Sequence, residues 1–267
     1  MNGSRSSVSQ PPPLDLPAVD LKAQALFLDV DGTLLEIASA PDDVVVPDRL
    51  TQLIPELVRL TGGAFALVSG RTIAQLDALF RPMVLPCSGL HGLERRDVRG
   101  VMHRPAINDE RLGRARSFLA AIVQVNPGLL LENKHSTLAV HYRRAPELAG
   151  VARRVVMQAL DILGGDYCLL EGKMVFELKP DGFSKSMAIA AFLREPPFER
   201  RSPIFVGDDR TDEAGLSYVE NLGGLAVHVR PSNVASGARW QLPDVGAVHA
   251  WLESLVARSP PAASGER

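Results

Sequence analysis

Two aspartates, Asp29 and Asp31, stand two residues apart where an apolar run ends and the chain turns at Gly32. Side chains at this spacing on an extended chain point the same way, so both carboxylates can reach one ligand. Gly32 allows close approach of the backbone to an anion, and Thr33 adds a hydroxyl and an amide donor. Because one aspartate can attack phosphorus while the other moves a proton, the pattern predicts phosphoryl transfer. The alternative is an acidic turn that caps the next element.

Two later positions offer groups that would hold a phosphoryl oxygen. Ser69 and Gly70 follow an apolar run and precede a predicted helix, whose free amides suit a phosphate. Ser69 taken alone is also typical of a helix cap. Lys185 falls in the first turn of another predicted helix, where a cation is unfavourable unless it meets a phosphate or a carboxylate. An exposed surface lysine is the alternative.

A third group of acids, Asp208 and Asp209, follows the apolar run that ends at Val206. Carboxylate oxygens at the carboxyl end of a strand are ligands that Mg²⁺ prefers. Asp212 and Glu213 come just after them and can also cap the following helix.

The composition of the 267 residues is that of a globular protein, with 46% apolar and 22% charged residues. A net charge of −2 argues against a nucleic-acid binder, and no apolar run is long enough to span a bilayer. The first ten residues lack the apolar core of a signal peptide. Cys87 and Cys168 form no disulfide or metal pattern, so we expect reduced thiols and a cytoplasmic location.

Hydrophobic periodicity predicts a parallel, doubly wound α/β core that is interrupted by an α+β unit. For the core, it predicts strands at 25–30, 64–68, 83–88, 203–206 and 225–229 and helices at 48–61, 72–80 and 184–194. For the α+β unit, it predicts helices at 111–123 and 147–163, paired strands at 129–132 and 137–142, and a hairpin of 167–170 with 174–178. We therefore expect disordered tails at 1–20 and 259–267, a core of 21–106 and 181–258, and an inserted cap of 107–180.

The order of these motifs resembles the haloacid-dehalogenase (HAD) superfamily, and within it the trehalose-6-phosphate phosphatases. The matching segments are Asp29–Thr33, Ser69–Arg71, Gly89–Glu94, Glu132–Lys134, His141–Arg143, Glu177–Pro180, Lys185 and Gly207–Glu213. The sequence departs from the family pattern at Ser186, where glycine is usual, and at Ala214–Leu216.

The resemblance implies a Rossmann-like HAD core with an α+β cap, and Mg²⁺-dependent hydrolysis of trehalose 6-phosphate. It implies that Asp29 is the nucleophile, that Asp31 is the acid and base, and that Ser69 and Lys185 hold the phosphoryl oxygens. It also implies that Asp29, the carbonyl of Asp31 and Asp208 bind Mg²⁺, while Asp209 and Asp212 orient the metal's waters and Lys185.

Sugar selection is expected in the cap. Glu132 and Lys134 stand two residues apart on a predicted strand and face one way, and Glu171 and Lys173 repeat the spacing. Charged side chains bind sugar hydroxyls well, although exposed Glu/Lys pairs are also common on edge strands. On the core side, the expected substrate contacts are Thr33, Arg71 and His91, of which His91 is also readable as a structural loop residue.

Two other functions fit the same residues. One is a phosphatase or phosphomutase for another sugar phosphate, and the other is a non-catalytic sensor of phosphosugars. In each case the expected partner is a small sugar phosphate, with no nucleic acid and no membrane, and the chain is expected to be a monomer.

Overall fold

The computed structural model describes residues 16–38, 43–105, 109–134, 136–230 and 239–259. Along the chain the strands are β1 (Gln24–Leu28), β2 (Phe65–Val68), β3 (Cys87–Gly89), β4 (Glu94–Arg96), β5 (Met102–His103), β6 (Leu130–Asn133), β7 (Leu138–His141), β8 (Tyr167–Gly172), β9 (Val175–Pro180), β10 (Ser202–Gly207), β11 (Leu225–Val229) and β12 (Trp240–Leu242). The α-helices are α1 (Asp48–Leu60), α2 (Ile73–Leu79), α3 (Asp109–Gln124), α4 (Ala149–Leu163), α5 (Lys185–Phe192), α6 (Glu213–Asn221) and α7 (Val245–Arg258).

The larger sheet has eight strands in the order β12-β11-β10-β1-β2-β3-β4-β5. It is parallel from β12 to β3, and β4 and β5 add an antiparallel edge. Helices cover both faces, which explains why its central strands are almost wholly apolar. Leu26 and Leu28 of β1 pack with α1, α2 and α7, whereas Ala25 and Phe27 pack with α5 and α6. The predicted doubly wound α/β core is confirmed.

The smaller sheet is antiparallel, in the order β6-β7-β9-β8, and it is built from the chain between β5 and α5. We call this part, residues 109–134 and 136–180, the insert. Helices α3 and α4 pack on one face of its sheet, where Leu138 and Leu178 join Leu119 and Val156 in a separate core. The opposite face of the smaller sheet carries charged side chains, which face the larger sheet.

At the antiparallel edge the structure differs from the one strand that was predicted and adds two that were not. The strand expected at 83–88 is confined to Cys87–Gly89, because Pro82 and Pro86 lack the amide that a ladder needs. Strands β4 and β5 were not predicted, since Glu94–Arg96 carries only charged side chains. The arginines are nevertheless buried, because Arg95 pairs with Glu195, which follows α5, and Arg96 pairs with Asp77 of α2.

The expected tails lie mostly outside the described residues. Residues 16–20 do not belong to a tail, because the apolar side chains of Leu16 and Val19 pack against the core. Ser259 likewise belongs to the end of α7, where its hydroxyl donates to the carbonyl of Leu255. Within the described part of the chain, no helix is long and apolar enough to cross a membrane.

Candidate active site

Three adjacent parallel strands bring Asp29, Ser69 and Asp208 to one edge of the larger sheet. These residues directly follow β1, β2 and β10, which are neighbours in the sheet. The amide of Asp29 donates to the carbonyl of Val206 at 3.0 Å, which fixes the end of β1 against β10. The carboxyl edge of an open α/β sheet is where such folds bind ligands.

Lys185 joins this edge from the first turn of α5. Its Nζ lies 2.6 Å from Oδ1 of Asp29 and 2.6 Å from Oδ1 of Asp212, and all three side chains are buried. Burial lowers the pKa of Lys185, but the Asp212 and Asp29 carboxylates outweigh it and raise the pKa above its ordinary value. Burial, and then the Asp212 carboxylate, raise the pKa of Asp29. The buried cation therefore holds the two acids in fixed positions.

Asp208 completes a cluster of three acids. Oxygens of Asp29, Asp208 and Asp212 all lie within 4.8 Å of one another. Oδ1 of Asp208 is buried and has no hydrogen-bond partner among the described residues. Burial, followed by the Asp212 and Asp209 carboxylates, raises the pKa of Asp208 to about 7. A buried carboxylate oxygen without a partner is costly, and a bound cation would satisfy it.

Position 32, in the turn after β1, requires glycine. Gly32 has a φ of +83°, and a Cβ there would lie 2.1 Å from Oδ2 of Asp208. Glycine alone permits both the left-handed backbone and the close approach of this carboxylate.

Asp212, a member of the cluster, is also bound to the backbone of Asp209. The amide of Asp209 donates to Oδ2 of Asp212 at 3.1 Å, and Oδ1 of Asp209 accepts from the amide of Arg210 at 2.6 Å. Asp212 is fully buried, whereas Asp209 lines the cleft. The structure thus places Asp212 as the partner of Lys185.

Asp31 faces the cleft and is held by Arg71. Nε and Nη2 of Arg71 each lie 2.7 Å from an oxygen of Asp31, so the guanidinium binds the carboxylate through both oxygens. The Ser69 hydroxyl accepts from the amide of Arg71 at 3.2 Å. Thr33 does not reach the cleft: it is fully buried, and its hydroxyl donates to Oδ2 of Asp29 at 3.4 Å. It supports the expected nucleophile from behind.

The insert supplies the opposite wall of the cleft. Glu132, Lys134 and Glu177 extend from its free sheet face and from the end of β6. Lys134 Nζ lies 3.4 Å from Oε2 of Glu177 and 3.7 Å from Oε2 of Glu132. His141 Nε2 lies 2.8 Å from Oε2 of Glu132. The expected Glu132 and Lys134 pair therefore faces the strand-end acids, and not solvent.

These charges remain ionised at neutral pH. Burial raises the pKa of Glu177, but Lys134 and then His91 outweigh it and hold the pKa well below its ordinary value. Burial also raises the pKa of Glu132, yet the hydrogen bond from His141 and the Lys134 charge lower it overall. Burial lowers the pKa of Lys134, and the Glu177 and Glu132 carboxylates raise it above the usual value. The insert wall therefore carries charges of alternating sign: the Glu177 carboxylate, the Lys134 ammonium and the Glu132 carboxylate.

Three contacts tie the two walls together. Gln75 Nε2 of α2 donates to Oε1 of Glu132 at 3.2 Å, and Lys134 Nζ donates to the carbonyl of Gly70 at 3.2 Å. His91 Nε2 lies 3.5 Å from Oε2 of Glu177. Burial lowers the pKa of His91, so the ring is neutral at pH 7. The cleft is thus lined on both sides by polar groups already in contact.

The sequence matches the family model described as trehalose-phosphatase over residues 27–245. The chain belongs to the trehalose-phosphatase family. It is 42% identical over 231 residues to the trehalose-6-phosphate phosphatase of Escherichia coli (strain K12), with 86% of each chain covered.

Solved structures agree with the fold. The C-terminal domain of C. albicans trehalose-6-phosphate phosphatase superposes with a TM-score of 0.77 at 20% identity, covering 92% of this chain and 99% of that chain. A HAD-superfamily phosphatase from Bacteroides thetaiotaomicron gives a TM-score of 0.58 at 17% identity, covering 94% and 99%. The core therefore has the HAD fold.

Glu171 is, after Thr33, the second residue expected in the substrate site that lies elsewhere. Glu171 does not line the cleft, and its carboxylate accepts from Nε of Arg153 on α4 at 3.3 Å. Lys173 does line the cleft, although it stands only two residues away. The alternation fails because β8 ends at Gly172 and Lys173 belongs to the following turn.

Several residues that line the cleft were not predicted from the sequence as site residues: Gln75, His141, Arg143, Arg144 and Glu177. The strand pattern of β9 contained a signal for Glu177, because a charged residue between Phe176 and Leu178 must face away from the insert's apolar core. The sequence contained no such signal for Gln75, because a glutamine at this position is already explained by the capping box that it forms with Thr72 at the start of α2.

Proposed function

We propose that this chain hydrolyses trehalose 6-phosphate to trehalose and phosphate through an aspartyl-phosphate intermediate. The observation that carries the proposal is the two-walled cleft, in which Asp29, Lys185 and Asp208 face the row of Glu132, Lys134 and Glu177. The first wall suits phosphoryl transfer, and the second suits the hydroxyls of a sugar. The name of the Escherichia coli relative supports this substrate.

The first half-reaction uses both aspartates. A carboxylate oxygen of Asp29 bonds to phosphorus while the bond from phosphorus to the sugar oxygen breaks, and Asp31, as the general acid, transfers a proton to that oxygen. Both oxygens of Asp31 are bound to Arg71, so one of these bonds must open as the sugar oxygen enters. Ser69 and Lys185 hold phosphoryl oxygens.

The second half-reaction releases phosphate. A water gives its proton to Asp31 and bonds to phosphorus, and the bond from phosphorus to Asp29 breaks. Lys185 remains bound to Asp29 and Asp212 and keeps the nucleophile aligned for the next turnover.

We propose Mg²⁺ as the cofactor. The unpartnered Oδ1 of Asp208 and the cluster within 4.8 Å fit a divalent cation. Asp29, the carbonyl of Asp31 and Asp208 would hold it, and Asp209 and Asp212 would orient its ligands. When bound, the ion neutralises charge on the transferring phosphoryl group.

We further propose that residues 107–180 act as a cap over a core of 21–106 and 181–258. The insert's separate hydrophobic core supports this division, because it can move as one body. A monomer in the cytoplasm stays a prediction, which sedimentation and cell fractionation would test.

A panel assay tests the function. Phosphate release would be measured with trehalose 6-phosphate, sucrose 6-phosphate, glucose 6-phosphate and p-nitrophenyl phosphate. We expect the highest kcat/KM with trehalose 6-phosphate. A higher kcat/KM with another sugar phosphate would make that compound, and not trehalose 6-phosphate, the proposed substrate. Binding of a sugar phosphate without phosphate release would indicate a sensor.

A further inference from the structure

Lys179 is a buried charge that the proposed chemistry does not use. It belongs to the same Glu177–Pro180 segment that supplies Glu177, yet it does not line the cleft. Its side chain is 6% exposed, and its Nζ donates to the carbonyls of Phe183 and, at 3.4 Å, Pro180. Among the described residues, no carboxylate lies within 4.0 Å of this ammonium.

Stability alone does not account for a lysine here. Burying an ammonium is costly, and carbonyl groups repay the cost only in part. A methionine of similar length would fill the same space without a charge. We therefore look for the role of the ammonium in the segment whose carbonyl groups it binds.

That segment, residues 181–184, connects the insert back to the core; we call it the return linker. Its far end is fixed on the core. Ser184 caps α5 by accepting from the amide of Met187 at 3.3 Å, and Lys185 follows it. The Ser184 carbonyl also fills the space beside Gly92, where a Cβ would lie 2.3 Å from its oxygen.

The near end of the return linker is β9, which carries the sugar wall. Glu177 and Lys179 stand two residues apart on one face of β9, away from Phe176 and Leu178 in the insert's core. Lys179 binds the linker while Glu177 meets Lys134 across the sheet face. Glu177 of the insert and Lys185 of the core are thus joined along the chain by the end of β9 and the return linker.

We propose that Lys179 is a positioning residue that clamps the return linker and so sets the closed position of the insert over the core. The proposal rests on the proposed function, because it assigns Lys179 to the alignment of the sugar-binding wall. Lys185 keeps its own contacts with Asp29 and Asp212, so the clamp acts on sugar binding and not on the phosphoryl site.

The test compares Lys179→Met with Lys179→Arg on two substrates. For Lys179→Met we expect at least a tenfold lower kcat/KM with trehalose 6-phosphate and a change below twofold with p-nitrophenyl phosphate, which has no sugar. Lys179→Arg keeps a cation that can reach the carbonyls, so it should recover most of the loss. Equal losses on both substrates, or no loss on either, would overturn the proposal.

A second measurement does not depend on activity. Hydrogen exchange of peptides covering 181–188 should be at least tenfold faster in Lys179→Met than in wild type, with no change in peptides from α7. Unchanged exchange in the linker would overturn the clamp. If Lys179→Met does not fold, Lys179→Gln takes its place in both measurements. A failure of the proposed function would appear differently. The wild-type chain would then have a higher kcat/KM with another phosphate ester, while Lys179→Met would still show faster hydrogen exchange in the return linker.

Discussion

The two walls of the cleft use charge in different ways. On the core wall, Asp29, Lys185 and Asp212 are 4%, 2% and 0% exposed, and the Lys185 ammonium lies 2.6 Å from each of the two carboxylates. On the insert wall, the Glu132 and His141 side chains keep 19% and 24% exposure. A reacting group needs a fixed position and little water, whereas a sugar-binding group must exchange its partner for a hydroxyl. This difference fits the proposed division of roles, in which the core wall carries the chemistry and the insert wall selects the sugar.

The largest effect is expected on the core wall. Asp29→Asn should lower phosphate release by at least about 10⁴-fold with every substrate, because an amide cannot form the acyl-phosphate. Phosphate release is measured at saturating substrate, with circular dichroism as the control for folding. Turnover near the wild-type rate would mean that another residue is the nucleophile.

Removal of divalent cations is expected to come next. Exhaustive treatment with EDTA should lower activity by about 10³-fold, because the acids would lose the charge that offsets the phosphoryl group. Mg²⁺ should restore activity, whereas Ca²⁺ should inhibit, since its longer and looser coordination misplaces Asp29. Full activity after EDTA treatment would contradict the assignment of Asp208.

The insert wall should distinguish between substrates. Glu132→Ala and Lys134→Ala should each lower kcat/KM for trehalose 6-phosphate by roughly 10- to 150-fold, which corresponds to about 1.5–3 kcal/mol for a charged hydrogen bond. Hydrolysis of p-nitrophenyl phosphate should change much less. The two losses need not add, because the side chains contact each other.

Glu171→Ala is the matched control for that experiment. It removes a glutamate from the same insert that pairs with Arg153 outside the cleft, so both substrates should react as with wild type. If Glu171→Ala lowered kcat/KM for trehalose 6-phosphate alone, Glu171 would have to be counted among the substrate-binding residues. Equal losses on both substrates for Glu132→Ala would assign Glu132 to closure of the cleft.

The smallest effect is expected from a buried acid outside the cleft. Burial raises the pKa of Asp97, but the amides of Val101 and Arg99 and the His103 ring lower it to about 2. This value lies below the unfolded value of about 3.9, so the stabilisation is complete above about pH 4 and disappears as the pH falls toward 2.

Asp97→Asn should therefore lower Tm by a few degrees at pH 7 and by progressively less below pH 4. Thermal unfolding at several pH values measures this difference. Activity on both substrates should not change, because Asp97 does not line the cleft. A Tm difference that grows toward low pH would contradict the sign of the shift.

Local pattern was enough to predict most of the elements of both sheets. The helix at 48–61 was predicted within one residue, because its apolar positions repeat at helical spacing and Gly62 follows it. The edge strand β4 was not predictable, since its four-residue run of charge from Glu94 to Asp97 is satisfied by partners far along the chain. Arg95 binds Glu195 at 2.8 Å, and Arg96 binds Asp77 at 2.6 Å.

The sequence by itself determined which acids end the parallel strands, because each of them directly follows an apolar run of strand length. Only the tertiary structure decided their partners. It placed Lys185 against Asp29, 156 residues away, turned Arg71 onto Asp31, and set Gln75 against Glu132. It also placed Glu171 outside the cleft, because β8 ends one residue later, at Gly172, and the turn begins at Lys173. Spacing along a strand fixes which face a side chain shares, but the group opposite that face depends on how the two sheets pack.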